Sequence, residues 1–124
     1  MLDTINFQNI LFIDIETVSQ YPNFKKVPSN WKKLWERKAG FLAKDGETAE
    51  ELYERAAIYA EFGKIICISV GVYRLVDNQP FFKIKSFFGD DEKQLLSDFG
   101  KLLKEKFSSS DYVHTMERSL TFHT

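Results

Sequence analysis

A single cysteine, Cys67, stands in the 124-residue chain, so no internal disulfide can form, which suits a reducing cytoplasm. Three prolines and six glycines are too few for a collagen-like or low-complexity chain. No apolar run approaches the ~20 residues that a membrane-spanning helix needs. Met1-Leu2-Asp3-Thr4 carries no basic segment ahead of an apolar stretch, so no secretory signal and no membrane partner are expected. An excess of one charge is also missing. The net charge of -1 leaves no whole-molecule attraction for nucleic acid, and any such binding must come from a local patch. What is present, 44% apolar and 28% charged residues, describes an ordinary folded chain, and its length suits one compact domain.

Asn9 to Glu16 is a short apolar, β-rich run that ends in two acids, and it reads as a buried strand. From Ser29 the spacing of Trp31, Leu34, Trp35 and Lys38 is helical, with Gly40 as the expected stop. A second helix is expected over Thr48 to Phe62, opened by a Thr48/Glu51 capping box and carrying Leu52, Ala56, Tyr59 and Ala60 on one side. Lys64 to Tyr73 is rich in β-branched residues. Asp77-Asn78-Gln79-Pro80 is turn chemistry, and Phe81 to Phe88 resumes strand character, which together predict an antiparallel hairpin. Asp90 would cap an amphipathic helix whose stripe is Leu95, Leu96, Phe99, Leu102, Leu103 and Phe107.

Asp14 and Glu16 lie two apart, so on a strand both side chains point to one face. Their Cβ atoms are then roughly 6–7 Å apart, and at an effective dielectric of about 20 the charges repel by roughly 2–3 kcal/mol. A cation between them removes that cost, and Mg²⁺ or Mn²⁺ prefers such oxygen ligands. The blander alternative is a pair of charges at the end of an edge strand, matched by lysines or left in solvent to discourage aggregation. A phosphate site of the actin-like ATPase kind needs glycine two residues after the strand's Asp, and Glu16 stands there.

The run Phe12-Ile13-Asp14-Ile15-Glu16-Thr17 resembles the first motif of the DEDD superfamily of 3′–5′ exonucleases. Glu61 to Gly71, following a helical insertion, and Phe88-Gly89-Asp90-Asp91-Glu92 are similar to bacterial proteins related to the proofreading domain of family-B DNA polymerases. The resemblance spans residues 9–107. It implies an α/β, ribonuclease H-like mixed sheet: three antiparallel strands, a helix and a parallel strand. This chain would supply an incomplete N-terminal portion, with the helical insertion between the first and second strands. It also implies metal-dependent hydrolysis of terminal phosphodiesters at single-stranded DNA 3′ ends through two Mg²⁺ or Mn²⁺ ions. Asp14 and Glu16 would be catalytic metal ligands, and Ile15 and Thr17 would meet the 3′ nucleotide. Two of the family's four acids have no assigned match, so a weak or inactive form is expected. The alternative is a non-catalytic binding module built on the same sheet.

Residues 108–124 are expected to be irregular, because His114-Thr115-Met116-Glu117 does not read as the strand that should carry the second motif. Read from the third base of the Asp111 codon, the alternate frame permits Leu-Cys-Ala-His-Asn-Gly-Lys-Glu-Phe-Asp-Phe-Pro-Tyr. That string is close to the family's second motif, so the tail reads as a frameshifted translation, with His114 and His123 as its by-products. An absent fourth strand would leave a sheet edge open to self-association. Between Asn23 and Gly46 seven basic residues meet two acids, while Glu47 to Glu61 holds five Glu against Arg55. Trp31 and Trp35 read as anchors of a helix face to the sheet, and the lysines as solvated or as a weak DNA-facing patch.

Overall fold

The computed structural model describes residues 6–107 together with the backbone of residues 112–116. Its elements are β1 (Ile10–Ser19), α1 (Ser29–Leu42), α2 (Ala49–Leu52), β2 (Gly63–Val76), β3 (Gln79–Phe88), α3 (Glu92–Lys106) and β4 (Tyr112–Met116). The fold is mixed α/β, with three antiparallel strands and three helices. The chain divides into two compact units, residues 1–16 with 65–124, and residues 17–64. The length alone pointed to one domain. The insertion carries enough aromatic surface to build a core of its own.

In the first unit the sheet order is β3-β2-β1-β4. β2 and β3 pair antiparallel from Cys67↔Phe88 to Val76↔Gln79. Only Asp77 and Asn78 make the turn, both with positive φ (51° and 60°), as a two-residue primed turn requires. Pro80 already belongs to β3, an edge strand, where its missing N–H is harmless. Leu11, Ile13, Ile68, Val70 and Leu95 form the core, with Phe99, Leu102, Leu103 and Phe107 of α3 packed against it. Leu96, expected on that stripe, is exposed. The cap of α3 is Asp91 rather than Asp90, because the Asp91 carboxylate accepts the Gln94 N–H at 3.1 Å.

Within the tail expected to be irregular, residues 112–116 form a strand, and the rest of that expectation lies outside the described residues. Tyr112–Met116 is a strand paired parallel to β1, from Ile10↔Tyr112 to Asp14↔Met116. Parallel neighbours need a crossover, and α3 precedes β4 in the chain. Tyr, Val and Thr favour strands, and β1 offers them an unpaired ladder. The edge expected to lie open beside β1 is therefore occupied by β4.

In the second unit Trp35, Val27, Ala39, Leu52, Tyr53, Ala56 and Phe62 are buried together. The Trp35 ring meets Phe62 and Tyr53 edge-on at 5.0 and 5.5 Å, and its Nε1–H donates to the Ala49 carbonyl at 2.7 Å. Trp31 and Trp35 thus anchor the helix, but to a core built by the insertion itself, where the sheet was the expected partner, because Tyr53 and Phe62 supply aromatic partners nearby. α1 continues past Gly40 to Leu42, since Ala39 and Leu42 still face this core. The second helix is shorter than expected. Its capping box is present, but α2 ends at Leu52 and Tyr53–Ile58 is a 3₁₀ turn.

Candidate functional site

β1 is an interior strand, flanked by β2 and β4. Its alternation sends Leu11 and Ile13 into the core, while Phe12 and Asp14 line a concavity of about 360 Å³. Ser69 and Gly71 of β2 and Phe82 and Ile84 of β3 complete its wall. Gly71 leaves room here for the Phe82 ring, whose far end a Cβ at this position would displace. That ring stands edge-on to Phe12, with centroids 5.4 Å apart. Beside the concavity the Ser69 and Ser86 hydroxyls share a hydrogen bond of 2.7 Å, and Cys67 Sγ lies 3.8 Å from Ser69 Oγ.

Asp14 is the one polar anomaly of this wall. Its Oδ1 is shut off from solvent and has no hydrogen-bond partner among the described residues. Leaving such an oxygen unpaired costs about 1–3 kcal/mol, more when it is charged. Glu16 follows two residues on and is half-buried. The parallel ladder with β4 has its last described rung at Asp14↔Met116, and β1 runs on past both acids to Ser19. The edge-strand alternative does not describe this arrangement, since β1 is central. The ion pair found among the described residues is Lys38–Glu61, in the other unit.

The remaining site residues assigned by the resemblance have structural work of their own. Ile15 packs with the core of the first unit. The Thr17 hydroxyl donates to the Ala57 carbonyl at 2.7 Å. Ser69, Gly71, Phe82 and Ile84 were not singled out in the sequence. A signal existed: Cys67, Ser69 and Gly71 are small residues at every second position of a strand otherwise filled with Ile and Val.

Asp14 and Glu16 supply hard oxygen donors of the type Mg²⁺ and Mn²⁺ take, and the orphaned Oδ1 is consistent with such use. Among the described residues no group of three His, Cys, Asp or Glu gathers to hold a metal ion. No helix among the described residues is long and apolar enough to cross a membrane. No family model matches the chain, and neither a curated protein nor a solved structure is significantly similar to it.

Proposed function

We propose that the chain is the N-terminal part of a metal-dependent 3′–5′ exonuclease domain of ribonuclease H-like architecture, acting on single-stranded DNA. The observation that carries this reading is the Asp14 carboxylate: half-buried, on a central strand, with Oδ1 lacking a partner and Glu16 on the same face. The strand order β3-β2-β1-β4, with α3 ahead of a β4 parallel to β1, supports the architecture. Asp14 and Glu16 would hold Mg²⁺ or Mn²⁺. When bound, such ions supply a water nucleophile at neutral pH and stabilise the attacking and leaving oxygens of a phosphodiester. The chain's own contribution is to keep two carboxylates at a fixed spacing on a rigid strand, beside an apolar wall that includes Phe12, Phe82 and Ile84.

With two of the family's four acids assigned, slow or no hydrolysis is expected of this chain. Cation binding is therefore the primary test. Titrating Mn²⁺ into a thermal melt should raise the midpoint, and Asp14→Asn should abolish that rise. A midpoint indifferent to Mn²⁺ would overturn the metal reading and favour the binding module, in which the sheet carries no chemistry.

A further inference from the structure

We infer that the outward face of α1 is a binding ridge for single-stranded nucleic acid. The inference concerns the unit of residues 17–64 and stands independently of any cation at Asp14 and Glu16.

At about 100° per residue, the buried Trp31, Trp35, Ala39 and Leu42 fix the inward side of this helix. Lys33, Leu34, Arg37 and Phe41 then fall opposite, within an arc of about 100°. Glu36 is the one acid of α1, and it lies on the flank beyond Lys33, away from Phe41. Lys33, Arg37 and Glu36 are exposed, as is Lys44 just past the helix.

Two features separate this face from an ordinary solvated one. Phe41 is 82% exposed and Leu34 53%, although the same helix buries a tryptophan completely, so the apolar residues here are not core material. The cations beside them also lack ion-pair partners among the described residues, where Lys38–Glu61 is the pair found. Lys38 and Lys32, by contrast, lie on aromatic rings of their own unit, over Tyr59 and Phe24.

A flat ring flanked by unpaired cations complements a strand that offers both unstacked bases and phosphates. Lys33 and Arg37 are one helical turn apart, about 6 Å along the axis, so both can follow one backbone. An anionic lipid surface fits less well. An interfacial helix inserts a broad apolar face, and here only Leu34 and Phe41 point outward.

The test uses the full chain, a fluorescein-labelled oligothymidylate, fluorescence anisotropy and EDTA in the buffer. Binding should weaken steeply between about 50 and about 200 mM salt. Lys33→Ala with Arg37→Ala should lower affinity about tenfold or more and reduce the slope against log salt by about 0.7 per cation. Phe41→Ala should lower affinity at least about fivefold, with Phe41→Trp retaining it, since stacking needs only a π-face. All these side chains are exposed, and circular dichroism verifies that each variant is folded. No binding at low salt, affinity unmoved by these variants, or stronger capture by phosphatidylserine vesicles than by the oligonucleotide would each overturn the inference. A melting midpoint raised by Mn²⁺ in a protein that leaves the oligonucleotide unbound in EDTA would overturn this inference alone, which keeps failure here distinct from failure of the metal reading.

Discussion

The ring of Phe82 occupies the space that a side chain on Gly71 would need. Phe82 pairs with Tyr73 across the β2–β3 ladder, so its ring leans diagonally onto the glycine two residues along. This contact shapes the concavity beside Asp14. Phe82 is half exposed and its far end is free to swing. Gly71→Ala should therefore cost no more than about 1 kcal/mol, with the lost strand entropy of glycine partly offsetting the shift. The Phe12–Phe82 contact should be lost, visible as changed aromatic ring-current shifts.

Gly63→Ala should behave in the opposite way. A Cβ there would meet the Ala57 carbonyl oxygen at 2.6 Å, and backbone cannot swing aside. The Gly63 N–H also donates to the Tyr59 carbonyl at 2.8 Å, which fixes the approach. A loss of about 1–3 kcal/mol is expected from chemical denaturation, the usual range for overpacking.

Asp14→Asn should separate stability from cation binding. Replacing a half-buried carboxylate whose Oδ1 has no partner by an amide of the same shape should leave the metal-free protein within about 1 kcal/mol of the wild type. The same variant should lose any stabilisation by Mn²⁺. A metal-free midpoint that falls further would show that the carboxylate has a structural partner.

Tyr53 links the fold to alkaline pH. Burial raises its phenol above the ordinary value of 10.0, against the Tyr21 N–H, which donates to the phenol oxygen at 3.3 Å. A raised folded value means that the neutral form is the one the fold prefers. Its contribution is complete below the unfolded value and is lost as pH climbs through the folded one. The wild type should thus lose stability above about pH 10, the ordinary phenol value. Tyr53→Phe should flatten that decline while costing about 1 kcal/mol at neutral pH for the lost hydrogen bonds.

At the start of α2 the Thr48 hydroxyl accepts the Glu51 N–H, and the Glu51 carboxylate accepts the Thr48 N–H at 2.8 Å. The Thr48 N–H, with the Thr48 hydroxyl that lies 3.0 Å from the same carboxylate oxygen, holds the Glu51 carboxyl below its ordinary value of 4.5. The depressed value places its contribution above the unfolded one, to be lost as pH falls through the folded one. Thr48→Ala should cost about 1 kcal/mol in a denaturant titration and return Glu51 toward its ordinary value.

Much of this architecture was legible in local chemistry. Alternation in Ile65–Val72, turn residues at Asp77-Asn78, the Thr48/Glu51 box and the leucine stripe of α3 each answer to neighbours within a few residues. The strand at Tyr112–Met116 was not legible because it depends on β1, a partner about a hundred residues away in sequence, and not on a pattern of its own. The second helix was overextended for a related reason. Tyr53 and Ala56 are drawn into the Trp35 core, and the chain tightens into a 3₁₀ turn where a periodic pattern suggested α-helix.

The site divides in the same way. Sequence by itself determined that Asp14 and Glu16 share one face, because side chains on a strand alternate with a period of two. It also determined that Trp31 and Trp35 anchor a helix, because their spacing matches the helical repeat. Only the tertiary structure decided that β1 is interior, that Oδ1 of Asp14 is shut off without a partner, and that Gly71 and Phe82 shape the wall beside it. It alone left Phe41 bare among cations while the tryptophans went inside. Those outcomes depend on which strands and helices pack together, and packing is decided by contacts between residues far apart in the chain.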